Sequence, residues 1–455
     1  MFPVEKEVLN AILRELCIPD IGSATIRQIC SVAAELEKSA GEKCVHLEIG
    51  NPGLPAEQIG VQCECKALKK GVANQYPDIK GVPELKSAGS KFIKAFMNLE
   101  IPEKGVVPTV GSMQGSFTLM LLLKQRIETK DTLLLLNPGF PAQRHQAKLL
   151  GIRTQAFDIY TYRGKALEAK LEEEMKSGRI TAMIYSNPNN PAWTNLTDEE
   201  LQIIGRLATK YDVIVIEDHA YMGMDFRRDF GKPGEAPYIP SVANYTDNYI
   251  LLVSASKIFS YAGQRIALVC MSPAVYDRHY AYFEKFYEMP AFGDAYIYGV
   301  LYCASSGASH SAQYALAGMM EASVKGELDF VEHTSEYGRR ASIVKQAFVD
   351  NGFHIVYSMD GDAPISDGFF FTVGYQGLTG VELQAELMRY GISSISLPST
   401  GSEQEGIRVT VSMISEDADM ERLRQRLEAF DINMNRMHGD RNTAAAEVTE
   451  KIVFA

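Results

Sequence analysis

The sequence predicts an α/β protein, a large unit on a mainly parallel sheet followed by a smaller α+β unit. Three observations predict it. Short β-branched or leucine-rich runs recur through the centre of the chain, several are apolar on both faces, and amphipathic stretches separate them. Candidate strands fall at 132–136, 180–186, 213–217, 249–254, 266–271, 369–374 and 407–412. Between the second and third lies a helix: Thr197 and Glu200 form a capping-box pattern, and Leu201, Ile204, Leu207 and Ala208 supply its apolar stripe. Strand, helix, strand in that order reads as a right-handed crossover. Helical stretches near 84–96 and 311–322 flank this strand-rich centre, and after about residue 340 the signals continue with longer gaps. No internal repeat or low-complexity block is visible. From Asn433 onward the chain is polar and reads as a helix or a loose tail. The stretch 280–302 carries nine Tyr and Phe residues, which points to core or subunit-interface packing.

A length of 455 residues corresponds to about three domain-sized units, and 46% hydrophobic with 22% charged residues is the balance of a globular chain with a large core. Forty-five Lys and Arg against 57 Asp and Glu give a net charge of -12. That balance argues against a broad nucleic-acid or anionic-membrane surface while permitting a local basic pocket for a small anion. No apolar run approaches the roughly 18 to 20 residues of a membrane span. The first residues, Met1-Phe2-Pro3-Val4-Glu5, lack the basic and apolar regions of a signal peptide. Seven cysteines suggest no disulfide framework, and Cys63 with Cys65 finds no second pair to complete a zinc spacing. A reducing cytoplasm and no metal are the expectation.

Several common signatures are missing. No G-x-G, G-x-x-x-x-G-K-[ST], H-E-x-x-H or G-x-S-x-G occurs, which removes the main sequence support for a dehydrogenase, P-loop NTPase, zincin or serine hydrolase. What remains sits at the carboxyl ends of predicted strands, where open parallel sheets place ligands. Strand 180–186 runs into Asn187-Pro188-Asn189-Asn190-Pro191, a proline-fixed loop offering amide donors. Strand 213–217 is followed by Asp218-His219-Ala220-Tyr221, and strand 249–254 by Ala255-Ser256-Lys257 with Gly263-Gln264-Arg265 beyond. Singly, the first two loops read as a turn and a helix cap. Together the three bring amides, a carboxylate, an amine and an anion-binding arginine to one place.

This ordered set resembles the class I/II aminotransferases of the fold-type I pyridoxal-phosphate family, whose hallmarks run N-P-x-N-P, D-x-x-Y, S-x-S-K with G-x-R, then a late arginine in a strand. Here they read Asn187–Pro191, Asp218 with Tyr221, Ser254 to Lys257, Gly263 with Arg265, and Ile407-Arg408-Val409. Further landmarks are Leu47-Glu48-Ile49-Gly50-Asn51-Pro52, Tyr76 with Gly81 and Leu85, Gly111-Ser112-Met113-Gln114-Gly115, and Pro138-Gly139-Phe140. The likeness covers about residues 20 to 430. It implies a large cofactor-binding domain at 61–310, a smaller α+β domain built from both chain ends (1–60 and 311–432), and a tail at 433–455.

The resemblance also implies roles. Lys257 carries pyridoxal 5'-phosphate and later acts as base, which requires a pKa well below the usual lysine value. Asp218 pairs with the pyridine nitrogen; Asn190 and Tyr221 meet the phenolic oxygen; Phe140 stacks on the ring. Ser112, Met113 (through its backbone N–H), Ser254, Ser256 and Arg265 hold the phosphate, with the helix opening at Gly111 aimed at it. Arg408 grips the substrate α-carboxylate beside Gly50 and Asn190. Tyr76 reaches the neighbouring subunit's phosphate, which makes a homodimer with shared sites part of the expectation.

Three departures bear on the pocket: Trp193 stands where a flexible glycine is usual, Gln143 where a tyrosine commonly follows the stacking aromatic, and Ala267 in place of a glycine. None removes a catalytic group. The implied activity is amino-group transfer from an amino acid to a 2-oxo acid by a ping-pong cycle. An amino-acid lyase or decarboxylase would use the same lysine, aspartate and arginine, and is the first alternative. A non-catalytic cofactor-binding regulator is the second; such proteins join this domain to a basic helix-turn-helix segment, and only about 40 residues precede the Leu47–Pro52 loop.

Overall fold

A computed structural model describes residues 2–415 and 417–453, with side chains described through residue 436. Its centre is a seven-stranded sheet in the order Val106–Thr109, Ala267–Met271, Tyr249–Ser254, Ile214–His219, Ile180–Ser186, Thr132–Asn137, Arg153–Asp158. Ala267–Met271 runs antiparallel to both neighbours, and every other pairing is parallel. The inner strands are apolar on both faces because helices cover both. The expected α/β class holds, and the expected strands appear with ends shifted by a residue or two.

Two strands of this sheet escaped the sequence pattern, both at its edges. Arg153–Asp158 is exposed along its first four residues, so its composition stays polar. Val106–Thr109 is short and contains Pro108, which an edge strand tolerates because one side of its ladder is free.

The helix after Ile180–Ser186 is Asp198–Lys210, and both halves of its capping box form: the Glu200 N–H donates to Thr197 Oγ1 at 3.2 Å, and the Thr197 N–H donates to Glu200 Oε2 at 2.9 Å. Glu200 also takes a bidentate pair from Arg163, at 2.6 and 2.8 Å. Helix Gly111–Gln125 buries Leu119, Met120, Leu122 and Leu123 against the other face of the sheet.

The smaller domain has a four-stranded antiparallel sheet, ordered Ile395–Ser396, Ile407–Thr410, Phe370–Tyr375, Phe353–Ile355. Helices Phe330–Asp350 and Gly380–Arg389 pack on it. The beginning of the chain joins it. Val45–His46 pairs in parallel with Ile392–Ser393, and helices Lys6–Glu15 and Ile26–Ala40 share an apolar cluster with Met388. One boundary needs correction. Helix His310–Val324 packs on helices Gln58–Lys69 and Pro83–Met97, so it goes with the large domain rather than opening the small one at 311. The expected tail continues helix Asp417–Val453, while residues 454–455 lie outside the described residues.

The aromatic stretch divides. Tyr280, Phe283, Phe292 and Tyr296 are buried, with Tyr280 over the Arg126 guanidinium and the Tyr296 hydroxyl 3.0 Å from Thr118 Oγ1. Tyr282, Phe286, Tyr298 and Tyr302 face outward.

Thr197 caps the helix that follows the Asn187–Pro191 loop. Replacing it with Ala removes one acceptor for the orphan N–H groups, so Thr197→Ala should cost about 1 kcal/mol. In urea unfolding the midpoint should fall with the slope unchanged.

Candidate active site

Register brings three strand ends together. Ser186 lies opposite Asp218, Asp218 opposite Leu252, and Ser254 opposite Ala267. The loops leaving these strands therefore open at one edge of the sheet. Ser254 caps the short helix Ala255–Ile258 by accepting from the Ser256 N–H at 3.1 Å, and the turn carries Lys257 inward.

Among the described residues the Lys257 Nζ makes no hydrogen bond and no ion pair. Burial pulls its ammonium down to about 8; the positive charges of Arg265 and Arg408 act in the same direction, and Asp218 opposes them. Asp218 is buried too, which pushes its carboxyl up to about 6 against the pull of His219, the Ala220 N–H and Lys257. Its Oδ1 accepts from the Ala220 N–H at 3.2 Å and its Oδ2 from Gln143 Nε2 at 3.2 Å. The amine and the acid thus both sit within reach of neutral pH, and each biases the other.

Arg408 is almost fully buried in strand Ile407–Thr410. One terminal nitrogen donates to Asn190 Oδ1 at 3.1 Å and the other donates to the Glu48 carbonyl. Its guanidinium carbon lies 4.5 Å from the Phe370 ring centroid, and its Nε has no partner. Burial lowers its pKa to about 10, opposed by Tyr221 and Glu48. Asn190 Nδ2 also reaches the Tyr221 hydroxyl at 3.5 Å, and burial pushes that phenol well up. Gly50 lies beside Phe369 and Phe370, whose rings a Cβ there would approach to 3.6 and 3.7 Å.

An anion cradle forms where helix Gly111–Gln125 begins. Gly111 has φ +70, a backbone that favours glycine, and a Cβ on it would stand 2.5 Å from an Arg265 guanidinium nitrogen and displace it from the helix end. The next residue, Ser112, holds a buried hydroxyl with no partner, and Met113 follows. Free N–H groups, an unpartnered hydroxyl and a guanidinium make a donor set for a phosphate. Phe140 precedes helix Pro141–Leu149, whose first turn brings Gln143 to Asp218. The set fits a phosphorylated pyridine aldehyde: donors for the phosphate, a carboxylate for the ring nitrogen and a free amine for the aldehyde.

Tyr76 is the exception, standing 94% exposed on the surface of the single chain. Three contributors were not assigned a site role in the sequence. Gln143 sits one helical turn after Phe140, and that spacing was its only signal. Glu48, which offers its carbonyl to Arg408, and Phe370, on which Arg408 rests, look in sequence like a loop acid and a core aromatic. A cavity of about 320 Å³ lies elsewhere, lined in part by Asn187, Asn195, Arg227 and Asp360, and contains none of these residues.

Residues 42–427 match the family model for aminotransferase class I and II, and the chain belongs to that family. Its members use pyridoxal phosphate. The glutamate-pyruvate aminotransferase AlaC of Escherichia coli is 28% identical over 247 residues, 53% of this chain and 58% of its own length. Nicotianamine aminotransferase A of Hordeum vulgare is 26% identical over 54% of this chain and 52% of its own. The chain thus spans little more than half the length of these relatives. Aspartate aminotransferase from Thermus thermophilus with maleate superposes at a TM-score of 0.71 and 17% identity, covering 90% of this chain and 96% of that one. An aminotransferase from Mycobacterium tuberculosis gives 0.72 at 17% identity over the same shares. At that identity the likeness concerns the fold.

The lysine shift has a consequence for the cofactor-free protein. The folded Lys257 binds its proton less tightly than an unfolded lysine, with a pKa of about 8 rather than 10.5. The buried charge therefore destabilises the fold fully below pH ~8, and the penalty disappears as pH rises to ~10.5. Lys257→Met should stabilise the cofactor-free protein at pH 7 by up to about 3 kcal/mol. Chemical denaturation across pH should show the advantage shrinking above pH ~8.

Proposed function

We propose that the protein is a pyridoxal-phosphate-dependent aminotransferase moving an amino group from an amino acid to a 2-oxo acid by a ping-pong cycle. The observation that carries this reading is the Lys257 amine, half-buried without a hydrogen-bond or ion-pair partner near Asp218, Arg265 and Arg408 and held at about 8. Pyridoxal phosphate, when bound, supplies an electron sink for charge left at the substrate Cα. Lys257 holds the cofactor and, once released, moves the proton at the substrate Cα, for which a pKa near working pH is suited. Asp218 keeps the ring nitrogen protonated, steadied by Gln143. Asn190 and Tyr221 hydrogen-bond the phenolic oxygen, and Phe140 covers one ring face. Ser112, Met113, Ser254, Ser256 and Arg265 hold the phosphate. Arg408 turns from Asn190 and the Glu48 carbonyl to pair with the substrate carboxylate beside Gly50.

The working unit is a homodimer with shared sites. Support comes from Tyr76, which serves no site within its own chain, and from the outward Tyr282, Phe286, Tyr298 and Tyr302, more apolar ring area than a monomer usually leaves in water. The location is cytoplasmic; seven unpaired cysteines suit a reducing compartment.

The direct test is a half-reaction screen. Each amino acid is mixed with the holoenzyme while the cofactor's absorbance is followed and 2-oxo acid, ammonia and carbon dioxide are assayed. Conversion to the amine form with 2-oxo acid release is expected; ammonia or carbon dioxide instead would make the enzyme a lyase or decarboxylase. Borohydride reduction and peptide mapping should leave the pyridoxyl label on Lys257.

Asp218→Asn keeps the shape but cannot hold the ring nitrogen protonated. It should retain cofactor and lose turnover by at least about 100-fold, the scale of one electrostatic stabiliser. Steady-state kinetics with the cofactor content measured alongside decides it.

Mixing Tyr76→Phe chains with Lys257→Ala chains should create heterodimers in which one site carries both lesions and the other neither. Activity and tight cofactor binding should reappear on mixing. A fully active monomer in sedimentation at assay concentration would refute shared sites.

A further inference from the structure

Trp193 is the only tryptophan in the chain, and it is held at two costs. Its backbone is left-handed, φ +64, a conformation that disfavours every residue with a Cβ. Its indole is fully buried, with Nε1 lacking any hydrogen-bond partner. Groups kept under strain or unpaired inside a fold call for a compensating role.

The ring's neighbours show what that role is. The indole meets Tyr221 edge-on at 5.5 Å between centroids and Phe370 edge-on at 5.9 Å. Phe370 and Tyr221 also meet each other, at 5.1 Å. On its other contacts Phe370 supports the Arg408 guanidinium at 4.5 Å, and Tyr221 accepts from Asn190, which in turn accepts from Arg408. Trp193 is therefore the common backing of both rings that hold the arginine, one through a ring face and one through an amide. The bend leading into strand Phe370–Tyr375 leaves space for it: a Cβ at Gly368 would come within 2.1 Å of the indole. Position 193 lies in the large domain and Phe370 in the small one, so the indole also fixes the distance between them at this point.

The geometry points to Trp193 as a positioning residue for carboxylate recognition, setting the guanidinium plane of Arg408 through Phe370 and Tyr221. It acts through the two rings it contacts, Tyr221 and Phe370. This inference rests on the aminotransferase reading, in which Arg408 takes the substrate carboxylate.

The test uses the holoenzyme and a pair of probe classes. One is the 2-oxo acids from pyruvate to 2-oxoglutarate; the other is isopropylamine, which has an amine and no carboxylate. As the only indole, Trp193 gives the wild type an intrinsic fluorescence that should change on 2-oxo acid binding and not on isopropylamine binding. Trp193→Gly suits the left-handed backbone while deleting the ring. By calorimetric titration it should weaken 2-oxo acid binding by roughly ten- to a hundredfold, the scale on which a misplaced binding group acts. Cofactor content and the isopropylamine response should stay unchanged. Trp193→Phe, a milder change, should move the same way by less. Adding Gly368→Leu to Trp193→Gly refills the space behind Phe370 and should recover 2-oxo acid affinity.

Equal losses for both probe classes, or a fall in thermal stability with 2-oxo acid affinity intact, would overturn the role. So would a double variant that recovers stability without recovering affinity. A wild type that binds no 2-oxo acid and converts no amino acid would instead overturn the aminotransferase reading, and the role of Trp193 with it.

Discussion

The burial of one guanidinium ties the molecule together. Arg408 belongs to the small-domain sheet, donates to Asn190 on a large-domain loop, and donates to the Glu48 carbonyl on the segment leading in from the beginning of the chain. A charge so deeply buried is tolerated only when its donors are met and its faces covered. Here two nitrogens find acceptors, Phe370 covers a face, and the Nε stays unpaired. That incomplete satisfaction suits a group whose proposed partner is a carboxylate from outside the protein. The contact also joins both chain ends in one domain: Val45–His46 pairs beside Ile392–Ser393 and the Thr410 N–H donates to the Leu47 carbonyl, which sets the Glu48 carbonyl against Arg408.

The same dry environment sets the chemistry at Lys257 and Asp218. Burial disfavours charge on both, lowering the amine to about 8 and raising the acid to about 6. Their mutual attraction works against both shifts, so the pair sits in the range where protons exchange readily near neutral pH. Gln143 orients Asp218 without adding charge.

Beyond the site, polar contacts between the domains converge on Asp360. Its carboxylate takes Arg163 at 3.3 Å, Arg227 at 2.6 Å and the Asn195 N–H at 2.9 Å. Arg163 simultaneously pairs with Glu200, so the capped helix Asp198–Lys210 is linked to the small domain through one arginine. The aromatic contacts around Trp193 do the same from the apolar side.

Much of the site was legible in the sequence because its polar residues interrupt apolar strands. Asp218, Ser254 and Lys257 stand out where buried runs end, and Asn187–Pro191 stands out as a proline-fixed loop. The periodicity of helix Asp198–Lys210 and its capping pair are local properties, and local patterns survive without knowledge of neighbours. The edge strands were not legible, since exposure removes the apolar signal and Pro108 mimics a loop. Nor was the place of helix His310–Val324, because which domain a two-sided apolar helix joins depends on surfaces far away in sequence.

The sequence by itself determined the α/β class, the order of the chemical groups and their family, since each is written in short-range composition and spacing. Only the tertiary structure decided that the Glu48 carbonyl and Asn190, 142 positions apart in the chain, share one guanidinium. It alone decided that Gln143 meets Asp218, that Trp193 backs Phe370 across a domain boundary, and that Lys257 is left without a partner. Those are facts of burial and of contact between distant segments, and the free energy of a charge depends on what surrounds it in space rather than on what precedes it in the chain.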